Sequence, residues 1–168
     1  GSDQPGAFSQ DDEEMLAAVS HQVAAAVRVA QLHRAATTAA ATDPLTGLPN
    51  RRIFFERLAG VLVQRRAGDQ PLSLAMLDVN GLKTLNDQWG HGVGDEALVR
   101  VGEILLAGVR DNDVVARIGG DEFGILFPGV PLPAAERVMR RLAEGIAAGR
   151  LADGRDLPTV AWGVVAAP

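Results

Sequence analysis

Arg117-Ile118-Gly119-Gly120-Asp121-Glu122-Phe123 is the stretch on which the reading of this chain turns. Asp113-Val114-Val115-Ala116 runs in ahead of it, and Phe123-Gly124-Ile125-Leu126-Phe127 runs out. Both flanks are apolar and rich in residues that suit a pleated surface, with a Gly-Gly step between them. The expected element is a β-hairpin with Gly119, Gly120, Asp121 and Glu122 at or near its tip. Paired glycines let a backbone turn tightly and let a ligand approach without meeting a Cβ. Asp121 and Glu122 are adjacent carboxylates, and a nearby cation would lower the cost of their repulsion. Taken alone, the same residues also describe a solvated acidic turn.

Working outward toward the N-terminus, Leu72-Ser73-Leu74-Ala75-Met76-Leu77 is a nearly continuous apolar run after Pro71, read as a buried central strand. It ends in Asp78-Val79-Asn80-Gly81-Leu82-Lys83, placing a carboxylate and a lysine where open α/β sheets often bind ligands. Asn86 and Asp87 follow, then Gly90-His91-Gly92-Val93-Gly94-Asp95, which reads as a glycine-rich loop. Asp95 is placed to cap a helix carrying Leu98, Val101 and Leu105 and stopping near Gly108. Further back, Asp43-Pro44-Leu45-Thr46-Gly47-Leu48-Pro49-Asn50 reads as a boundary. Pro49 opens a helix with Ile53, Phe54, Leu58 and Val61 on one side, which stops near Gly68. After the hairpin, residues 131–148 read as a helix with Val138, Leu142 and Ile146 inward, and Thr159 to Val165 as a last strand. The order is that of an α/β fold, a mixed central sheet flanked by helices.

Ahead of this domain, Ser9-Gln10-Asp11-Asp12 has the form of a helix start, and an Ala-rich helix is expected through about Thr38. Leu16, Val19, Val23, Ala26 and Ala30 recur at steps of three and four. Residues 9–42 are therefore read as a signalling helix that pairs weakly with a second copy of itself, since Ala stands where a strong coiled coil holds Leu. A surface helix packed on its own domain is the other reading. Gly1-Ser2 reads as a remnant of cloning, and residues 1–8 as a disordered tag.

A formal net charge of −5 over 168 residues argues against a general nucleic-acid binder. The absence of cysteine excludes disulfides and thiolate metal sites and fits a cytoplasmic setting. No apolar run is long enough to insert in a bilayer.

Four stretches now agree in order and spacing: residues 43–51, Asp78 to Asp87, Gly90 to Asp95, and Arg117 to Phe123. Together they resemble the GGDEF family, the diguanylate cyclases, from Asp43 to the C-terminus, and residues 43–168 are assigned to that domain. The stretch from Phe8 to Leu16, continuing to Ala26-Val27, resembles the last helix of a GAF sensory domain. The main resemblance implies a nucleotide-cyclase-like palm fold. It also implies an activity: two GTP molecules condense to cyclic di-GMP and release two pyrophosphates, each protomer of a homodimer holding half of the site. It implies Mg²⁺, or Mn²⁺, on Asp78, the Val79 carbonyl, Asp121 and Glu122, with Asp121 and Glu122 catalytic. Glu122 would either bind metal or activate the attacking hydroxyl.

By the same resemblance, Asn86 and Asp95 match guanine-binding residues, Lys83 lies near the phosphates, and Gly119 and Gly120 admit the nucleotide. The alternatives are a turn residue for Asn86, a plain helix cap for Asp95 and a surface lysine for Lys83. Arg110-Asp111-Asn112-Asp113 matches the family's inhibitory product site, with Arg141 as a second arginine; a surface ion pair is the other reading.

Asn80 departs from an aspartate common in the family, trimming one negative charge from the metal neighbourhood. The family's last helix, with its phosphate-binding Lys and Arg, and its edge strand are expected to be missing after Val165, so this fragment is expected to be weakly active or inactive. A non-catalytic module that binds GTP or cyclic di-GMP and regulates a neighbouring domain is the alternative function.

Overall fold

A computed structural model of the chain describes residues 41–64 and 70–167. The expected signalling helix, its Leu16–Val19–Val23 seam, the GAF-like phrase and the stop near Gly68 lie outside the described residues. Helix α1 spans Arg51–Gln64, and strand β1 spans Leu72–Val79. Helices α2 (Leu82–Trp89) and α3 (His91–Ala107) follow, then β2 (Val114–Arg117) and β3 (Glu122–Pro128). Helix α4 (Leu132–Ala147) and strand β4 (Val160–Ala166) complete the order.

The four strands form one sheet in the order β2-β3-β1-β4. All three pairings are antiparallel. Among the described residues the parallel component is a single isolated bridge between Asn50 and Arg117. Side chains alternate across a strand, so each strand feeds two layers. Ala75, Leu77 and Val79 of β1 join Phe123, Ile125 and Phe127 of β3 on one face. There they pack with Leu98, Val101 and Leu105 of α3 and Met139, Leu142 and Ile146 of α4. On the other face Phe54 of α1 fills the space over Ala116, Ile118 and Leu126. Gly124 is what admits that ring: a Cβ there would stand 2.7 Å from Phe54 Cζ. Helix α1 thus covers the β2–β3 half of its face, while Met76, Asp78, Ala161, Gly163 and Val165 on the β1–β4 half stay exposed.

The hairpin forms where expected, with Ile118 to Asp121 between the strands, closed by the Ile118 amide donating to the Glu122 carbonyl at 2.8 Å. The central strand runs two residues beyond Leu77, carrying Asp78 and Val79 within it. The glycine-rich loop is a correction. From His91 onward it is helical, so Asp95 lies inside α3, and Gly90 rather than Asp95 caps that helix. Leu82 to Trp89 is a separate short helix, entered through Gly81 at φ 70° and left through Gly90 at φ 86°. No helix or strand follows β4 among the described residues, and no described helix is long and apolar enough to cross a membrane.

Candidate active site

The hairpin tip is held from behind by Arg117. Its Nη1 donates to Asp43 Oδ1 at 3.0 Å and its Nη2 to the Gly120 carbonyl at 2.6 Å. Its main-chain amide donates to the Pro49 carbonyl at 3.0 Å. Asp43 Oδ1 also accepts from the Thr46 amide and hydroxyl, both at 2.8 Å. The two side chains are only 13% and 18% exposed, so the ion pair is poorly screened. Burial alone would push the Asp43 carboxyl up. The Thr46 bonds and the Arg117 guanidinium outweigh it and hold the group below the usual carboxylate range.

In front of the tip lies a cavity of about 430 Å³. Lys83, Asn86, Asp87, His91, Asp95, Arg117, Gly120 and Asp121 supply its polar wall, and Leu82 and Leu98 its apolar floor. The structure therefore brings together Lys83, Asn86, Asp95, Gly120 and Asp121 from three separate segments: α2, α3 and the hairpin tip. Asn86 Oδ1 is buried there with no hydrogen-bond partner. A buried acceptor left unpaired is costly, and this one packs against α3 at Gly94. Its position depends on Gly94, because a Cβ at residue 94 would come within 1.9 Å of Asn86 Oδ1. His91 and Gly94 were passed over in the sequence because they sit in what read as a loop. Helical spacing from Asp95 would have placed His91 one turn away on the same side.

Asp78 and Glu122 face each other across β1 and β3 in direct register. They line a shallower hollow of about 290 Å³ with Met76, Leu77, Ala161, Trp162 and Gly163. The Val79 amide donates to the Asp121 carbonyl at 3.0 Å, tying the strand end to the tip. Gly119 does not line the cavity as expected. It makes room for Glu122, whose Oε2 would lie 2.6 Å from a Cβ at that residue. Like charges opposed across a ladder destabilise it unless a cation intervenes. Among the described residues no three His, Asp or Glu side chains converge on one point. A hard divalent cation that takes one or two carboxylates and completes its shell with substrate phosphates and water suits this donor set.

A third cavity, of about 580 Å³, brings Arg110, Asp113 and Arg141 together at the far ends of α3 and β2. Asp113 Oδ2 accepts from the Arg110 main-chain amide at 2.9 Å, and the two side chains form no ion pair with each other. Arg141 Nη2 donates to the Gly108 carbonyl at 2.5 Å. Arg137, one turn before Arg141 on α4, lines the same space above Phe127 and Val130. The sequence reading missed Arg137, although its four-residue spacing to Arg141 was visible.

An antiparallel sheet backed by two helices, with acids at the end of its central hairpin, is the frame of a nucleotide-cyclase-like palm domain. A family model described as diguanylate cyclase, GGDEF domain, matches residues 40–168, and the chain belongs to that family. Diguanylate cyclase DgcP of Pseudomonas aeruginosa is 42% identical over 109 residues, covering 65% of this chain and 16% of that protein. The probable diguanylate cyclase DgcC of Escherichia coli K12 is 35% identical over 133 residues, 79% of this chain and 35% of that protein. The chain thus spans well under half the length of either curated relative. Among solved structures, the GGDEF domain of DgcB from Caulobacter crescentus in complex with c-di-GMP superposes with a TM-score of 0.72 at 28% identity. That match covers 77% of this chain and 78% of the other.

The Asp43–Arg117 pair makes stability depend on pH with a defined sign. The folded carboxyl titrates below its unfolded value, so its contribution is complete above the ordinary carboxylate range, near ~4, and is lost as pH falls through the folded value. Asp43→Asn is expected to cost about 1–3 kcal/mol at neutral pH. Urea unfolding over a pH series should show the gap between the two proteins closing below about pH 4.

Proposed function

We infer that this chain is the cyclase domain of a diguanylate cyclase, joining two GTP molecules into cyclic di-GMP with loss of two pyrophosphates. The observation that carries the reading is the cavity that gathers Lys83, Asn86, Asp95, Gly120 and Asp121, in which the Asn86 side chain has an oxygen without a partner. Guanine presents an N1–H and an exocyclic amine on one edge. Asn86 Oδ1 and the Asp95 carboxylate are acceptors suited to them. Lys83, at the start of α2, is a point charge for the phosphates, and Gly120 leaves open space at the tip.

Asp78, the Val79 carbonyl, Asp121 and Glu122 would hold Mg²⁺ or Mn²⁺, which neutralises charge developing on the transferred phosphoryl group. The 3′-hydroxyl of one GTP attacks the α-phosphorus of the other, its proton passes to Glu122 or to solvent, and the bond to pyrophosphate breaks. Repeating the step in the reverse sense closes the ring. Two protomers must meet with two-fold symmetry for this, so the active form is a homodimer. Residues 9–42, read from the sequence as a pairing helix, are our candidate for bringing them together.

The Arg110–Asp113–Arg137–Arg141 cavity is our candidate for the inhibitory product site. Its arginines outnumber its one carboxylate, and its apolar floor suits a flat base. It supports control by product as well as the alternative of a module that only binds.

Incubation with GTP and Mg²⁺, followed by mass analysis, separates these readings: cyclic di-GMP must accumulate in the cyclase, whereas nucleotide binding without turnover leaves the module. Glu122→Ala is expected to lower turnover roughly a thousandfold while circular dichroism stays unchanged. In Gly94→Ala the displaced Asn86 amide should weaken GTP binding by about 5- to 100-fold in calorimetry, with the fold intact. Arg137→Ala should weaken cyclic di-GMP binding and raise the product concentration needed for half-inhibition. Initial velocity in that variant should match the parent.

A further inference from the structure

We propose that the excursion 149–158, between α4 and β4, is a splint for the elbow between α2 and α3, and that Arg155 stacked on Trp89 positions the base-reading residues. The proposal rests on the reading of Asn86 and Asp95 as the residues that meet guanine. The two helices that carry them are joined by Gly90 alone, at φ 86° and ψ 159°. A glycine torsion is soft, and a Cβ at that residue would meet nothing within 4 Å. The angle of the elbow must therefore be set by what packs against it.

The excursion is itself a small closed loop. Arg150 and Asp156 form a bridge, the Leu151 amide donates to the Arg155 carbonyl at 2.8 Å, and the Leu157 amide to the Gly149 carbonyl at 3.1 Å. It grips both helices. Leu151 and Leu157 are buried with Ala97 of α3, and Leu85 of α2 and Val93 of α3 pack on them. The Ala152 amide donates to Glu96 Oε1 at 2.5 Å. Arg155 lies with its Cζ 4.0 Å from the centre of the Trp89 ring, and its Nη2 reaches Asp153 Oδ2 at 2.5 Å.

The cavity residues fall between these grips. Asn86 lies between Leu85 and Trp89, while His91 and Asp95 lie between Trp89 and Glu96. Neither Arg155 nor Trp89 lines the cavity, so their effect on a ligand passes through the backbone they hold. Gly94 sets how closely α3 approaches Asn86, and the splint sets the angle from the far side of the same turns.

The test uses the full chain. GTP and inosine triphosphate, which lacks the exocyclic amine, are titrated by calorimetry against the parent, Arg155→Ala, Arg155→Lys and Trp89→Leu. The parent should prefer GTP. Arg155→Ala and Trp89→Leu should each weaken GTP by about three- to tenfold and compress the preference over inosine triphosphate. Arg155→Lys keeps a cation over the ring and should recover most of both. Thermal melts identify folded variants, and Trp89→Leu removes the stack from the other side if Arg155→Ala does not fold. Variants with a lower melting temperature but parental affinities and parental preference would overturn the splint. A parent that binds no guanine nucleotide would overturn the base-reading assignment first, leaving the splint nothing to position.

Discussion

The Arg117 guanidinium is the junction on which the site depends. It joins the first described turn, through Asp43, to the hairpin tip, through the Gly120 carbonyl, while its own amide binds Pro49. The segment 43–50 is ordered by these bonds, by the Thr46 contacts and by the packing of Leu45 and Leu48 on the core. Removing one partner of such a pair leaves a charge in a place where water reaches poorly, which costs more than the pair ever contributed. Arg117 Nε is buried without an acceptor, so the arrangement already carries some cost at this residue. That cost is offset by a tip whose position is fixed on both of its sides.

Several glycines act as space rather than as turns. Gly94 makes room for Asn86, Gly119 for Glu122, and Gly124 for Phe54. In each case the atom that would collide belongs to a side chain that either organises the site or fills the core beneath it. The glycine-rich composition around the motifs is therefore a map of close approaches. This also explains why residues 91–94 stay helical despite two glycines with poor intrinsic preference for a helix.

What could be read from the sequence followed local periodicity. The hairpin, the buried strand beginning at Leu72 and helices α1 and α4 announce themselves through alternation, turn residues and apolar spacing. The break between α2 and α3 did not, because glycine density signals a loop and only tertiary contact with Asn86 overrides it. For the same reason Asp95 was placed at a cap instead of inside α3. The gathering of Lys83, Asn86, Asp95 and Asp121 was expected from family resemblance, and nothing in their spacing alone dictates it. The Arg155–Trp89 stack joins residues 66 apart in number and leaves no local trace, whereas Arg137 shows only its helical spacing to Arg141 and not the cavity that both line.

Asp121 faces the cavity that holds Asn86 and Asp95, while Glu122, the next residue, faces the hollow that holds Asp78. Neighbouring residues of the tip thus line adjoining cavities. An insertion of one residue ahead of Asp121 would preserve every side chain in the neighbourhood and still disturb which cavity each acid enters, since direction alternates along an extended chain. The tip is consequently a length held to one residue, and composition alone does not describe what it must keep.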